Sequence, residues 1–315
     1  MIGLGTTMQM MNNATPPSID GKYQLACTNG YLYVSTDFGS TFTPRGTSMD
    51  WRASAINNDG TIMFAAAYGN YIYKSTDYGV SWTALTGLGT NNWDGVAASD
   101  DGVYILAGVY NSVTRLSTNG GLSGAAISNY MTLEARGAVA VSSTGQFMTF
   151  GGSWGGANMY IYKSNDYGAT WAVPQNVWPL SIYSVAMSRN GQYQYITGEG
   201  IPKRSTDFGA TFLDTWGSGG RYQVSMSGNG VYGLVGSMST SRILRSTNYC
   251  DTFATVSGSL SVQWYLNAIS YTGKYMLAQR NGYYLYRSAN YGVNWTAVNT
   301  TVRNYVGLSI NNYNG

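Results

Sequence analysis

Acidic side chains are the first candidates for chemistry in this chain. Glycoside hydrolysis commonly uses two carboxylates that flank the bond to be cleaved. Nine of the 14 Asp and Glu residues fall in or beside tight turns, and the five that remain are Asp50, Asp94, Glu134, Glu199 and Asp214. Asp50 and Asp94 occupy near-equivalent places in successive repeats, where they could form a pair across a groove. Solvated loop aspartates are the favoured interpretation, because proximity alone does not shift a pKa.

Histidine is absent from the sequence. Its absence excludes Ser-His-Asp and Cys-His nucleophile pairs, and also every metal site that needs imidazole. The two cysteines, Cys27 and Cys250, fall at different depths of the repeat described below, so we expect no disulfide. We expect no metal and no other cofactor, and catalysis is disfavoured.

Charge and hydropathy exclude other partners. The net charge is only +3 and the basic residues are scattered, so we expect no nucleic-acid partner. No segment approaches the roughly 20 apolar residues that span a bilayer, so we expect no membrane insertion. The first residues lack the pattern of a secretory signal. The uncharged polar composition favours an extracellular surface or a virion as the location.

Ligand recognition is the other chemistry that the residue types favour. Two aligned positions at the entry to the first strand of each repeat hold seven aromatic residues and three arginines among fourteen residues. The first position holds Trp51, Trp93, Arg136, Ile182, Arg221, Trp264 and Tyr305. The second position holds Arg52, Asp94, Gly137, Tyr183, Tyr222, Tyr265 and Val306. Aromatic faces beside hydrogen-bonding groups suit sugar rings, and the same composition suits a protein hot spot.

Loops on the same face extend this candidate surface with Trp154, Glu199 and Arg280. A packing role is the alternative for one of the two aligned positions, since large aromatic side chains fill wedge-shaped gaps in a core. Arg and Tyr are seldom fully buried. We therefore expect some of the aligned side chains in the core and others at the surface.

An internal repeat positions these residues. The string STDFGSTF at residues 35–42 returns, in complete or weaker form, from Ser75, Ser117, Ser164, Ser205, Ser246 and Ser288. The starts lie 40 to 47 residues apart, which is the length of a four-stranded propeller blade. We number the repeats units 1 to 7 and call the eight-residue string of each unit its serine turn.

A second turn precedes each serine turn. These turns are Asp20-Gly21, Asp59-Gly60, Asp101-Gly102, Thr144-Gly145, Asn190-Gly191, Asn229-Gly230 and Thr272-Gly273. Each joins two short β-rich runs, as tight hairpin turns do. One unit is thus interpreted as four antiparallel strands, A to D. The second turn joins strands A and B, and we call it the A–B turn. The serine turn joins strands C and D.

The first unit lacks a strand A before its A–B turn. Residues 305–312 (YVGLSINN) match residues 51–58 (WRASAINN) and supply the missing strand from the other end. The sequence therefore predicts an all-β, seven-bladed β-propeller of four-stranded antiparallel blades, closed by its C-terminal strand in the N-terminal blade. Residues 17–315 form this single domain, and residues 1–16 are an extension that is either flexible or a docking arm.

The serine turns resemble the Asp-box, or BNR, repeat of sialidases, sortilin-type receptors, xyloglucanases and photosystem assembly factors. Four turns carry the full pattern Ser-x-Asp-x-Gly-x-x-Trp/Phe. In those families the box lies at the blade periphery, so the resemblance implies structural roles for Asp37, Asp77, Asn119, Asp166, Asp207, Asn248 and Asn290. The Arg-Ile-Pro motif of sialidases is absent, and sialidase activity is not expected.

Three functions follow as hypotheses. The favoured one is a non-catalytic recognition or structural propeller that binds carbohydrate or protein through its aromatic and arginine-rich face, at a cell or virion surface and alongside other subunits of such an assembly. The alternative is a glycoside hydrolase or lyase acting on a polysaccharide in that groove. A third is an assembly-factor-like protein that docks a peptide there.

Overall fold

The fold is all-β in the part of the chain that the structure describes. A computed structural model describes residues 19–127, 138–151, 161–174, 182–198, 200–215, 222–237, 242–256, 263–280, 284–298 and 303–313. These residues form β-strands and one 3-10 turn, Thr86–Leu88, and contain no α-helix. Short runs rich in β-branched and aromatic residues, separated by Gly, Asn and Asp, favour strands and turns over helices.

The strands have the following bounds. The first nine are β1 Gln24–Ser35, β2 Thr43–Ile56, β3 Met63–Asn70, β4 Ile72–Ser75, β5 Thr83–Ala84, β6 Asn91–Ala98, β7 Ile105–Val109, β8 Arg115–Ser117 and β9 Ala125–Ala126. The next seven are β10 Val139–Val141, β11 Met148–Gly151, β12 Ile161–Ser164, β13 Ile182–Met187, β14 Gln194–Gly198, β15 Lys203–Ser205 and β16 Leu213–Asp214. The last nine are β17 Tyr222–Met226, β18 Gly233–Ser237, β19 Ile243–Ser246, β20 Ala254–Thr255, β21 Trp264–Ile269, β22 Met276–Arg280, β23 Leu285–Ser288, β24 Thr296–Ala297 and β25 Tyr305–Ile310.

The same antiparallel pattern returns along the chain. Three separate four-stranded sheets run in chain order, β13 to β16, β17 to β20 and β21 to β24. In the first of them Val185 pairs with Ile196, and Lys203 pairs with Asp214. Strands β10 to β12 form a three-stranded sheet, which an isolated bridge between Lys163 and Ala172 extends. The predicted four-stranded antiparallel unit is therefore present.

The N-terminal strands join neighbouring units into one ten-stranded sheet. The first part of β2 pairs with β1, through Thr43 for example, and its later part pairs with β3 from Trp51 onward. The end of β3 pairs in turn with β6, where Tyr68 lies opposite Asn92. Strands at this end of the chain thus continue from one unit into the next.

The two ends of the described chain meet. Strand β25 pairs antiparallel with β1, and Gln24 lies opposite Ile310. The side chain of Asn311 accepts a hydrogen bond from the Tyr23 amide at 2.9 Å and donates to the carbonyls of Ile19 at 2.9 Å and Asn58 at 2.8 Å. The C-terminal strand therefore pairs with the first strand of unit 1.

Successive units pack through aromatic pairs beside their turns. In six pairs a ring that follows one unit's A–B turn lies against a ring in the next serine turn, with centroids 4.6 to 5.3 Å apart. The pairs are Tyr23–Tyr78, Tyr104–Tyr167, Phe147–Phe208, Tyr193–Tyr249, Tyr232–Tyr291 and Phe38–Tyr275. The last pair joins unit 1 to unit 7. Unit 3 has Gly120 at the place of the ring.

Hydrogen bonds also run from one A–B turn to the next. They join Asp100 N to Ser143 O, Ser143 N to Arg189 O, Arg189 N to Gly228 O, Asn229 N to Tyr271 O, and Tyr271 N to a carboxylate oxygen of Asp20, at 2.7 to 3.2 Å. The buried Asp20 carboxylate also accepts from the hydroxyl of Ser270 at 2.9 Å and that of Thr272 at 2.6 Å. This residue therefore binds unit 7 to the start of the chain.

No helix within the described ranges has the length and apolar character needed to cross a membrane.

Candidate functional site at the channel mouth

Seven strands of the described chain line one shared cavity, which we call the channel. They are β2, β6, β10, β13, β17, β21 and β25, which we call the inner strands, and the cavity measures about 710 Å³. Small side chains such as Ala53, Ala97 and Ala140 line much of the wall. The volume lies within the range of about 300–1,000 Å³ that is typical of small-ligand sites. We call the end at which these strands begin the mouth.

The first aligned position belongs to the core. Trp51, Trp93, Trp264 and Tyr305 are at most 3% exposed. Trp51 packs edge-on against Tyr73, with ring centroids 5.2 Å apart. Because successive side chains of a strand point to opposite faces, this position packs against neighbouring strands and leaves the next one at the mouth. Burial argues against ligand contact by the three tryptophans, whereas Tyr305 also lines the channel, and a site role for these four residues stays a prediction.

The second aligned position faces the channel. Arg52, Asp94, Tyr183, Tyr265 and Val306 all line it and are partly exposed. Tyr222 holds the same position at the start of β17, but the side chain of Tyr222 is not among those that the structure describes. Four of these five channel-facing residues thus have the aromatic or charged side chains that the sequence predicts for a ligand site.

Other predicted site residues lie elsewhere. Arg280 is partly exposed at the end of β22 and does not line the channel, although its neighbour Gln279 does. Glu134, Arg136, Gly137, Trp154, Glu199 and Arg221 lie outside the described residues. For these six, the prediction of a site role stays a prediction.

Arg52 is the centre of a charged and aromatic cluster at the mouth. Its Nη2 donates a hydrogen bond to Asp50 Oδ2 at 2.8 Å. Its guanidinium lies 5.0 Å from the ring centroid of Tyr68. The hydrogen bond to Asp50 raises the pKa of Arg52 above its ordinary value, and the charges of Asp50 and Asp94 act in the same direction, while burial opposes them. Arg52 is therefore a cation that is hydrogen-bonded to Asp50 and attracted by the charge of Asp94.

Three further residues near the mouth were not among the predicted site residues. Tyr68 and Tyr110 end strands B of units 2 and 3, and their rings lie 6.2 Å apart at 56°. The pairing of β3 with β6 and a hydrogen bond from the Tyr110 amide to Asn92 bring the two tyrosines together. Asn304, just before β25, is exposed and lines the channel. The recurrence of Tyr at the ends of strands B was the signal that could have found the first two.

Of the three candidate carboxylates that the structure describes, Asp214 lies apart from Asp50 and Asp94. Asp214 lies on the outer strand β16, where it forms an ion pair with Lys203. It does not line the channel, which corrects its place among the candidates. Asp50 and Asp94 are near enough to Arg52 for both charges to act on it. Of the candidates that the structure describes, only these two lie near the mouth.

The serine turns use their acidic and amide side chains internally. In the second unit, Asp77 Oδ1 accepts hydrogen bonds from Ser75 Oγ at 2.7 Å and from the Ser81 amide at 2.9 Å, and Oδ2 accepts from Ser81 Oγ at 2.6 Å. The equivalent residues Asp37, Asn119, Asp166, Asp207, Asn248 and Asn290 accept the corresponding bonds from the serine hydroxyl and the turn amide. The bonds from Ser81 and Ser75 lower the pKa of Asp77 to about 2. Each of these side chains is therefore occupied within its own turn.

The described residues offer no cluster of three or more His, Cys, Asp or Glu side chains that could hold a metal ion. Cys27 and Cys250 are both buried and free. Burial raises the pKa of Cys27 to about 12 and raises that of Cys250 as well. Since the thiolate is the reactive form, neither thiol is poised for redox or nucleophilic chemistry.

Comparison with known proteins gives the fold. No protein-family model matches the chain, and no curated protein matches it in sequence. The β-propeller domain of Cps50 (Swd1) from Myceliophteria thermophila is similar, with a TM-score of 0.64 and 12% identity over 86% of this chain and 92% of that one. YCF48 from Cyanidioschyzon merolae is also similar, with a TM-score of 0.59 and 13% identity over 80% of this chain and 86% of that one.

An enzyme is among the similar structures. An ancestral GH74 enzyme has a TM-score of 0.60 and 17% identity over 79% of this chain, which spans only 38% of the enzyme's length. At such identities the similarity shows the fold and no shared activity. The repeated antiparallel sheets together with these structures show that the chain has a β-propeller fold.

Proposed function

We propose that the chain is a seven-bladed β-propeller of the Asp-box type, in which residues 17–315 form one ring that β25 closes. Three observations support this proposal. Seven inner strands line one channel, β25 pairs with β1, and the pair Phe38–Tyr275 packs unit 1 against unit 7. The seven units of the sequence each supply one of these inner strands. Residues 1–16 are in this proposal an extension of the ring.

The function we propose is non-catalytic recognition of a carbohydrate ligand at the mouth, on a cell or virion surface. The observation that carries it is the composition of the channel-facing position, where Tyr183, Tyr265, Arg52 and Asp94 line one cavity. Aromatic faces bury the C–H face of a sugar, and nearby charged and amide groups bond its hydroxyls. The uncharged small side chains of the wall leave room for a ligand to enter.

A glycan array with purified protein tests this function. We expect binding to a defined glycan set, and we expect Tyr265→Ala and Arg52→Gln each to weaken it at least tenfold. Leu122→Ala is the matched control, because this side chain is 81% exposed on a serine turn and belongs to no part of the mouth. Absence of glycan binding, combined with mouth-dependent capture of a native protein partner, would replace the carbohydrate by a protein ligand.

Glycoside hydrolysis is the second candidate, because Arg52 and Asp94 line the same cavity and the charges of Asp50 and Asp94 both act on Arg52. A hydrolase needs one carboxyl group that donates a proton and a second that acts as nucleophile or base. The described Asp50 carboxylate is instead engaged by Arg52. Release of reducing sugar from a polysaccharide by the wild type, abolished in Asp94→Asn, would establish hydrolysis and remove the non-catalytic proposal.

A further inference from the structure

The inner strands contact one another in a closed circle. Each one contacts the next in the order β25, β2, β6, β10, β13, β17 and β21, and β21 contacts β25 again. They begin at the mouth and finish near the A–B turns, which we call the far end of the channel. Every A–B turn belongs to the described residues, so the far end can be followed around the whole circle.

Hydrogen bonds join the far end between each pair of neighbouring units. Five of these links run from unit 3 round to unit 1, through the bonds between A–B turns described above. Two more complete the circle. Asn57 Nδ2 donates to the Asp100 carbonyl at 3.1 Å and joins unit 2 to unit 3. Asn311 Nδ2 donates to the Asn58 carbonyl at 2.8 Å and joins unit 1 to unit 2. Seven backbones at the spacing of neighbouring strands, about 4.8 Å, enclose a circle of roughly 5 Å radius.

Two large side chains cover this small circle. Arg189 of unit 5 reaches past unit 4 and forms an ion pair with Asp100 of unit 3. The Tyr271 side chain of unit 7 meets that of Arg189 over Gly228, where a Cβ would lie 2.3 Å from Tyr271 Cδ2 and 2.8 Å from Arg189 Cδ. Burial lowers the pKa of Arg189 to about 10, which agrees with its withdrawal from water. These contacts close the far end.

The cavity ends before these side chains. Its wall reaches four residues beyond the second aligned position in every unit, to Ile56, Ala98, Val141, Met187, Met226, Ile269 and Ile310. Of the described residues that follow the inner strands, Asn312 lines the cavity, whereas Asp100, Arg189 and Tyr271 do not. The channel is thus open toward the mouth and closed at the far end.

The interior of the channel has two chemically different sides. Units 3, 4 and 5 line it at residues 96–98, 139–141 and 185–187 with Val, Ala and Met side chains. Units 6, 7, 1 and 2 place Ser225, Asn267, Ser309 and Ser54 at the same depth. Asn267 is 4% exposed, and within the described chain its Oδ1 and the buried Ser225 hydroxyl have no hydrogen-bond partner. Sugar hydroxyls supply such partners, and the C–H face of a sugar suits the aliphatic side.

We propose that the channel is a blind pocket for the terminal sugar residue of a glycan chain or branch. The inference rests on the proposed carbohydrate function and adds to it which part of the glycan is recognised. A sugar within a chain has a neighbour on each side, and a pocket that is closed at one end has no exit for the second neighbour. The terminal sugar therefore reaches Asn267 and Ser225, and the residue before it lies at the mouth beside Tyr265.

Chain length and blocked ends provide the first test. Isothermal titration uses linear oligomers of glucose, galactose, mannose and N-acetylglucosamine with two, four and six residues. In a series that binds, we expect less than a threefold change in Kd per chain with length, because one terminal sugar and its neighbour make the contacts. A benzylidene acetal at the non-reducing end or a naphthyl aglycone at the reducing end should weaken binding at least tenfold. Affinity that rises tenfold with length and tolerates both blocked ends would overturn end recognition and leave the carbohydrate function intact.

Interior variants provide the second test. Asn267→Leu replaces the amide by an apolar side chain of similar shape, so we expect at least tenfold weaker binding of the same oligomers. Asn294→Leu is the matched control, because this exposed asparagine lies on the serine turn of the same unit. Asn267 also donates to the Gln223 carbonyl at 3.0 Å, and its replacement can therefore lower stability.

Ser225→Ala avoids that loss, because it removes a hydroxyl that has no partner in the described chain. We expect at least threefold weaker binding with wild-type thermal unfolding. Wild-type affinity in Ser225→Ala and in a folded Asn267→Leu would refute entry of the sugar into the channel, while binding at the mouth would stand. Failure of the wild type to bind any of these oligomers or any glycan of the array would refute both the blind pocket for sugar and the function beneath it.

Discussion

The turns and the mouth of this propeller are built on opposite rules. At the turns, seven units repeat one set of contacts, in which a serine hydroxyl and an Asp or Asn side chain hold the same places, and six of the units add a ring. At the mouth, the channel-facing position holds Arg52, Asp94, Tyr183 and Tyr265 in units 2, 3, 5 and 7, and Val306 in unit 1. Uniform contacts serve a repeated structural need, whereas side chains that differ from unit to unit build an asymmetric surface, as the proposed ligand site requires.

The contrast has a physical origin in the strands. A turn must satisfy the same backbone amides in every unit, so the same side chains recur. The channel-facing position has no recurring set of backbone amides to satisfy, because the wall around it consists of inner strands and many small side chains. Substitutions at the turns are therefore expected to change stability, and those at the mouth are expected to change binding.

Loss of the Asp20 carboxylate is expected to have the largest effect on stability. Asp20→Ala leaves the donors of Ser270, Tyr271 and Thr272 without their acceptor in a buried place. Each unsatisfied buried group costs about 1–3 kcal/mol, and we expect a loss of about 3 kcal/mol or more in the free energy of unfolding. Denaturant unfolding monitored by tryptophan fluorescence measures it.

Asp101→Ala is the control for that experiment. Its carboxylate is exposed and bonds only within its own turn, to Ser99 and Val103, so we expect a loss of about 1 kcal/mol. Equal losses in the two variants would show that the bonds between units 7 and 1 add nothing to those within a turn. The proposed closure of the ring would then lose its energetic support.

Replacement of a turn glycine is expected to have the next largest effect. Gly191 has φ +82°, and a Cβ there would lie 2.6 Å from Phe147. Gly191→Ala therefore combines about 1 kcal/mol of backbone strain with about 1–3 kcal/mol of overpacking. Gly69 has φ +68°, and a Cβ there would meet only Asn92 Oδ1 at 4.0 Å, so Gly69→Ala reports the backbone strain without the overpacking. A smaller loss at Gly191 than at Gly69 would contradict the close packing of ring on turn.

The serine turns that contain Asp are expected to lose stability in acid, because their carboxylates become protonated. The pKa of Asp77 is lowered to about 2 in the folded chain, below the value of about 3.9 expected when unfolded. The stabilisation from this group is thus complete above about pH 4 and is lost as the pH falls toward 2. Asn119 makes the same bonds without a titrating group. Asp77→Asn should therefore flatten the dependence of melting temperature on pH between 4 and 2, and an unchanged slope would contradict it.

The sequence predicts the fold well because its turns are local. A serine turn closes within eight residues, and its bonds join Ser75, Asp77 and Ser81. Contacts between units are harder to predict. The Asp20 carboxylate was interpreted as part of a hairpin turn, yet its partner Ser270 lies 250 residues away along the chain. Residue type and spacing give no sign of such a bond.

The site was predicted only in part for a related reason. Trp264 and Tyr265 are adjacent aromatic residues, and either can be the buried one in a strand pattern of period two. Which of them faces the channel depends on the register between β21 and β22, where Trp264 pairs with Arg280. Tyr68 and Tyr110 were missed because the pairing of β3 with β6, across two units, brings their rings together.

This adjacent pair also provides the prediction with the smallest effect on stability. Tyr265 is partly exposed and its hydroxyl bonds Gln263, which is itself exposed, so Tyr265→Ala should cost less than about 1 kcal/mol. Trp264 is 3% exposed and packs against Tyr286, so Trp264→Ala should cost about 3–5 kcal/mol. Under conditions where both variants remain folded, glycan binding should be lost in the first and kept in the second. The opposite assignment, with binding dependent on Trp264 alone, would place the recognition surface away from the channel, because a core side chain acts on a ligand only through the shape of the fold.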